Sequence, residues 1–400
     1  MGRDVHPQTG SDSKLMVLSQ KSVLLVGHVT ESYGPMQALP QYLAPRAGKL
    51  AVISHPFAFS GIPVSSCCYS SRGSAKVVLT RPRYSGPEVF RYLTGVLLTV
   101  HFALHLRTRF DLYIGSDCLN ALAGLLLRAV GLAKKVVFYE YDYTPRRFQN
   151  RILNRVYHAI NGIAARYSDM VWDNPPNLGH ARASQGVRPE RNIRVPHGVD
   201  VHEVPSPAAD RIRREVLAYT GHVTEPHGLQ AVVEAIPDVV QHVPQVEVWI
   251  LGSGPFEATL REMVEARGMS DRFRFMGFTT HTNTLQTLPY CGIGLATYMD
   301  DVNGTFKHAE PLKVKDYLAC GLPVLITRVP SIAGTIESEG LGLAVSYDRS
   351  DVSAALIKLL TDDDFYRRCR RNVSRHRSTI SWTYTYDHAL NVTAQRLGWF

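Results

Sequence analysis

The apolar positions of this chain fall in short, dense runs separated by longer stretches of helical spacing. Lys21–Val29, Leu50–Ile53, Lys76–Thr80, Leu112–Gly115 and Val136–Tyr141 are runs without strict alternation, the pattern of strands covered on both faces of a parallel sheet. Helical spacing fills the gaps, most clearly over Glu88–Thr108, Leu119–Val130 and Gln149–Tyr167. The second half repeats the scheme, with strands expected at Val216–Thr220, Val246–Leu251, Arg272–Met276, Ile293–Thr297, Val324–Thr327 and Gly342–Val345. Strand–helix alternation in both halves predicts an α/β protein of two doubly wound, Rossmann-like domains. Between the halves, Arg194–Ala208 carries three prolines and little periodicity, the composition of a hinge.

An internal similarity joins the halves. Gly27-His28-Val29-Thr30-Glu31 recurs as Gly221-His222-Val223-Thr224-Glu225, and a glycine follows each copy at the same spacing, Gly34 and Gly228. Each copy comes at the end of an apolar strand, where an α/β domain presents backbone amides and a helix N-terminus to a ligand. Neither copy is a G-x-G-x-x-G fingerprint, so a dinucleotide site is not indicated.

Composition narrows the class. The 400 residues are 45% hydrophobic and 20% charged, an ordinary globular balance that excludes disordered, collagenous and disulfide-framework chains. No apolar run reaches the roughly 20 residues of a spanning helix. The first twenty residues are polar and lack a signal core, so a cytoplasmic location is expected, with residues 1–19 expected to be disordered. Six cysteines form no C-x-x-C pair and read as free thiols in a reducing compartment.

Charge is uneven. Of the net +9, most lies in residues 1–110, where 12 Lys and Arg face 4 Asp and Glu. Such asymmetry fits an anionic partner, and with no nucleic-acid module in the chain an anionic membrane surface is the expected one. Leu93–Leu106, 14 mainly apolar residues between Arg91 and Arg107, is too short to span a bilayer. It reads either as a buried helix or as an interfacial one, with Arg81, Arg83, Arg91, Arg107 and Arg109 on headgroups.

The chemistry concentrates in Phe306–Thr327. A polar segment with Lys307, His308 and Glu310 leads into a helix holding Lys313 and Asp316, stopped by Gly321 and Pro323 before a buried strand. A lysine and a helix N-terminus offset diphosphate charge, and a carboxylate one turn on accepts ribose hydroxyls. Tyr139–Arg147 leaves a buried strand at its C-terminal end, where ligands of open α/β sheets bind. Its carboxylates Glu140 and Asp142 stand there, with Asp117 after the preceding strand as a third candidate.

These motifs resemble the GT-B glycosyltransferases, in particular family-4-like enzymes of bacterial polysaccharide and glycolipid synthesis. The resemblance rests on Pro311-Leu312-Lys313, Asp316-Tyr317 and Ala319-Cys320-Gly321-Leu322-Pro323-Val324. Pro196-His197-Gly198-Val199-Asp200 resembles the interdomain P-N-G-V-D, and Ile250-Leu251-Gly252-Ser253-Gly254-Pro255 resembles a strand end of two apolar residues followed by G-x-G-P. Gly340–Leu343 and Trp382 with its following helix extend the likeness over nearly all of residues 216–390.

The resemblance implies two domains facing a cleft. Residues 1–204 would bind the acceptor and 205–380 the sugar nucleotide, with 381–400 a helix crossing back to the first domain. It implies a nucleotide-sugar donor, UDP-linked, transferred without cofactor or metal to a saccharide or lipid-linked saccharide in cell-envelope or exopolysaccharide synthesis. Donor-side positions are Pro311, Leu312, Lys313, Asp316, His308, Gly221, His222, His227, Gly228, Gly252 and Tyr298. Glu310 joins Glu140 and Asp142 as catalytic, and Gly27, His28, Gly34 and Asp117 form the acceptor side. The chain departs from the pattern at His308, which stands where a glutamate is usual, and at His222 and His227, which replace an arginine and a lysine. A sugar-nucleotide epimerase and a non-catalytic GT-B-like partner protein remain as alternative readings.

Overall fold

The computed structural model describes residues 18–30, 34–57, 60–71, 74–84, 86, 88–141, 143, 146–148, 150–174, 178–201, 204–300, 306 and 311–399. The chain forms two compact units, one of Met1–His197 with Thr385–Phe400 and the other of Gly198–Tyr384.

The first unit holds an eight-stranded sheet in the order β4-β3-β2-β1-β5-β6-β7-β8. Its strands are β1 (Ser22–Val29), β2 (Lys49–Pro56), β3 (Val64–Ser71), β4 (Ser74–Pro82), β5 (Phe110–Ser116), β6 (Ala133–Glu140), β7 (Met170–Asp173) and β8 (Asn192–Arg194). The central strands run parallel. The edge does not: β2 pairs antiparallel with β3, and β3 with β4. Sequence patterning missed β3 because Val64–Ser71 (VSSCCYSS) has no apolar run. Its burial alternates instead, with Ser65 and Cys67 inside, as a one-sided antiparallel strand requires. The short β7 and β8 also escaped notice. Leu18 and Ser19 fall in the segment expected to be disordered, yet with Gln20 they form a 3₁₀ turn in which Leu18 is buried.

Four helices of this unit matter below: α1 (Pro35–Leu43), α2 (Glu88–His105), α3 (Cys118–Ala129) and α4 (Arg151–Tyr167). The helix beginning at Trp382 ends in this unit, where the Trp172 indole donates to Thr393 Oγ1 at 2.9 Å and the Tyr42 hydroxyl donates to Asp387.

The second unit holds a six-stranded, all-parallel sheet in the order β11-β10-β9-β12-β13-β14. These are β9 (Arg213–Thr220), β10 (Glu247–Leu251), β11 (Phe273–Gly277), β12 (Cys291–Ala296), β13 (Val324–Thr327) and β14 (Gly342–Val345). Adjacent residues of β9 serve opposite faces: Leu217 and Tyr219 enter one core, Val216 and Ala218 the other. Two helices are used below, α5 (Leu229–Val240) and α6 (Leu312–Ala319).

In each sheet the chain starts in the middle, builds outward on one side, then returns to build the other. The reversal falls between β1 and β5 in the first unit and between β9 and β12 in the second. Strands beyond such a switch point lead their connections to opposite faces, which opens a crevice at their carboxyl ends.

Candidate functional site

In the second unit the crevice lies at the ends of β9 and β12. After β9 the chain turns through Gly221 at φ +116 and reaches Gly228 at φ +72, directly before α5. Gly228 is required twice over: its φ is left-handed, and a Cβ there would collide with the Thr297 carbonyl oxygen. Gly252, directly after β10, completes this wall.

Lys313, in the first turn of α6, sends its amine into the crevice. The Nζ atom is buried, lies 4.0 Å from the Tyr219 ring centroid and 5.2 Å from that of Tyr298, and has no hydrogen-bond partner among the described residues. Burial lowers its pKa from 10.5 to about 7. A cation held only by ring faces, in low dielectric, is an unfilled half of an ion pair. His227 stands beside it, its Nδ1 2.6 Å from Thr224 Oγ1 and its ring 5.5 Å from Tyr298 and 5.3 Å from Phe306. Burial first, then Lys313 and His222, lower its pKa to about 3, so it is neutral at pH 7.

One turn after Lys313, Asp316 is buried with Oδ1 3.1 Å from His281 Nε2. Nothing in the sequence signalled His281, which lies 35 residues away. Pro311 is buried at the head of α6, whereas Leu312 is exposed and His222 points to solvent. The structure thus gathers Lys313, His227, Tyr298 and Gly221 closely, with Asp316 a turn further along. His308 and Glu310, with Lys307, lie outside the described residues, as does Asp142.

In the first unit the crevice lies at the ends of β1 and β5. The repeated motif is built differently here: β1 runs on through Gly27 and His28 to Val29, whereas β9 stops at Thr220, one residue short of Gly221. His28 is therefore a buried strand residue and His222 an exposed loop residue. Gly34 precedes α1 in extended backbone, at φ −167.

Asp117 follows β5 with φ +70, an unusual value for a non-glycine residue. Its side chain caps α3, Oδ1 accepting from the Leu119 and Asn120 amides at 2.9 Å. The other oxygen, Oδ2, lies 2.7 Å from His28 Nδ1. Asn120 Nδ2 donates to Asp117 Oδ2 at 2.7 Å and to the Ser116 carbonyl at 2.8 Å, which uses both its hydrogens. The proton between His28 and Asp117 therefore belongs to Nδ1. That tautomer leaves Nε2 as a free lone pair, and among the described residues it has no partner.

His28 and Asp117 both line a cavity of about 200 Å³. Tyr92 and Leu93 of α2 and Leu153, Val156, Tyr157 and Ile160 of α4 supply much of its wall. Glu140 and Arg147 also reach it. Glu140 is tied into a buried network: Asn161 Nδ2 donates to its Oε2 at 2.6 Å, and Arg182 lies 3.8 Å away, itself bonded to Asp173 at 2.7 Å. Burial raises the Glu140 pKa to about 7, against the opposing pull of Arg182 and Asn161.

Residues 214–362 match the family model described as glycosyl transferases group 1. That match lies within the second unit, which is similar to a group 1 glycosyltransferase domain. The full chain has the two-unit GT-B architecture: it superimposes on Anabaena HepE, crystallised with UDP, with a TM-score of 0.66 at 14% identity, covering 94% of this chain and 100% of that one. Sucrose-phosphate synthase of Thermosynechococcus elongatus gives a TM-score of 0.65 at 16% identity over 95% and 100%.

Among curated relatives, one component of the phosphatidylinositol N-acetylglucosaminyltransferase of Arabidopsis thaliana is 23% identical over 53% of this chain and 47% of its own length. A GDP-mannose-dependent monoacylated phosphatidylinositol monomannoside mannosyltransferase of Corynebacterium glutamicum is 24% identical over 64% and 61%. The chain thus spans about half to three-fifths of the length of these relatives.

Proposed function

We propose that this protein transfers a hexosyl group from a nucleoside diphosphate sugar, UDP-linked in the first instance, to a hydroxyl of a lipid or lipid-linked saccharide in cell-envelope synthesis. The observation that carries the reading is the Lys313 amine, buried at the switch point of the second sheet with no anion beside it among the described residues. A diphosphate placed against it completes the ion pair, and the first turn of α6 adds its amide dipoles. In this reading Asp316, one turn on, accepts ribose hydroxyls. The UDP held by a fold neighbour supports that nucleotide as first choice; the relatives named for phosphatidylinositol substrates support a lipid acceptor.

In the proposed step the acceptor oxygen bonds to the anomeric carbon and the bond from that carbon to the diphosphate oxygen breaks. The acceptor proton passes to His28 Nε2, and Asp117 stabilises the imidazolium through Nδ1. Lys313 offsets the charge gathering on the departing diphosphate. His28 thereby takes the role first considered for Glu140 and Asp142. No metal enters this scheme.

The first unit also supports an anionic membrane surface as its setting. Among described residues no helix is long and apolar enough to cross a membrane. The α2 helix has a buried face of Thr99, Phe102 and Ala103, and its exposed Phe90, Leu93, Leu97 and Leu104 support an interfacial reading for the rest.

Thermal unfolding against UDP, GDP, ADP and CMP tests the donor site. A shift with one nucleotide, lost in Lys313→Met and Asp316→Ala, is expected. No shift with any of them refutes the transferase reading and leaves a non-catalytic partner protein.

A further inference from the structure

The cavity at the carboxyl end of the first sheet has the wrong walls for a sugar. A saccharide presents a hydroxyl on almost every carbon, and its sites answer with side-chain amides and carboxylates. Here the charged and imidazole side chains among the described residues are four: His28, Asp117, Glu140 and Arg147. Much of the rest is apolar or aromatic wall from α2 and α4: Leu93, Leu153, Val156 and Ile160, with the rings of Tyr92 and Tyr157. An apolar cavity of about 150 Å³ already admits a benzene-sized guest, and this one is about 200 Å³.

The cavity is also continuous with an apolar surface. Leu93 and Val156 both line it and are both about half exposed, at 51% and 49%. Each belongs to a longer exposed stripe: Phe90, Leu93 and Leu97 on α2, and Ile152, Val156 and Ile163 on α4. Those spacings of three, four and seven residues keep each stripe on one helix face. Basic residues accompany them, with Arg147 in the wall and Arg151 and Arg155 exposed on the first turns of α4. The result is a passage from an apolar, positively flanked surface to a histidine lone pair.

We infer that this cavity seats the hydrocarbon chain of an anionic amphiphilic acceptor, holding the segment next to its reactive hydroxyl. The inference rests on the transferase reading and narrows it: the acceptor is selected by the chain beside its head, and a soluble sugar alone is a poor substitute. The chain enters between Leu93 and Val156, the hydroxyl stops at His28, and the arginines meet the phosphate of the head.

Calorimetric titration of the whole protein with n-decyl phosphate, below its micellar concentration, and with methyl phosphate tests this. Each buried methylene is worth about fourfold in affinity, so seating three or four makes the long chain on the order of 60- to 200-fold tighter. Val156→Trp fills the passage and is expected to remove that preference. Ile163→Trp, an equally exposed change on the same helix outside the cavity, is expected to keep it. Equal binding of the two phosphates overturns the inference, and so does equal loss in the two variants. The UDP response of the second unit is read in the same samples. If it is present while the chain preference is absent, the inference falls and the transferase reading stands; if it is absent, the transferase reading falls with it.

Discussion

Replacing Lys313 by methionine is expected to make the ligand-free protein more stable and unable to recognise nucleotide. The side chain keeps its length and its apolar contacts with Tyr219 and Tyr298 but loses the charge that burial penalises. Burial carries the amine from 10.5 to about 7, and at about 1.4 kcal/mol per pH unit this withholds on the order of 4 kcal/mol from the folded state at neutral pH. Lost cation–π attraction to the two rings returns part of that, about 1–2 kcal/mol, so a net gain of about 2 kcal/mol is expected. At roughly 2–4 °C per kcal/mol for a unit of this size, the variant melts about 4–8 °C higher.

The pH dependence has a definite sign. The folded pKa is depressed, so between about pH 7 and 10.5 the unfolded chain binds more protons than the folded one. Wild-type stability therefore rises with pH across that window, and the Lys313→Met protein lacks this rise. A diphosphate reverses the shift by supplying the missing anion, so nucleotide binding near pH 8 takes up close to one proton. Differential scanning calorimetry from pH 6 to 10, with titrations in buffers of different ionisation heat, reads both effects. A variant that melts lower than wild type and still responds to UDP, or a wild type that binds UDP with no proton uptake, would refute the reasoning.

Asp117→Asn should leave the cap on α3 largely intact but release the His28 tautomer; turnover is expected to fall by about 10²- to 10⁴-fold, with an unchanged UDP thermal shift. Arg182→Met strands Asp173 as a buried charge and leaves Glu140 without its cation, and should cost about 3–5 kcal/mol, read as a melting point lower by on the order of 10 °C. Gly228→Ala forces a Cβ onto the Thr297 carbonyl at a left-handed φ; a loss of at least about 2 kcal/mol is expected in thermal unfolding. Leu97→Glu, at a residue 70% exposed on α2, should reduce co-sedimentation with anionic vesicles several-fold. Unchanged sedimentation would remove the membrane setting.

Much of the fold was legible because inner strands of a parallel sheet must be apolar on both faces, and that leaves dense runs such as SVLLV and VLAYT in the chain. The helix that carries Lys313 was equally plain, since its lysine, carboxylate and Gly-Pro stop lie within a dozen residues of one another. The antiparallel edge formed by β3 was not, because a strand covered on one face needs only alternate small residues, and serines and cysteines satisfy that without an apolar signal. The repeated G-H-V-T-E motif misled in detail. The same five residues continue a strand in one unit and end one in the other, because β1 pairs on to Val29 beside β2 whereas β9 gives way to the Gly221 turn.

By itself, then, the sequence determined the alternation of elements and the local placement of Lys313 and Asp316 on one helix, both of which follow from residues close along the chain. Only the tertiary structure decided which side chains meet. His28 and Asp117 are 89 residues apart and become a hydrogen-bonded pair because β1 and β5 are neighbours at a switch point. Lys313 gains its depressed pKa from burial against two tyrosines remote from it along the chain, and the cavity exists only where α2 and α4 close over the sheet end. Periodicity fixes how a segment buries itself, but burial of one segment by another depends on strand order, which no local pattern encodes.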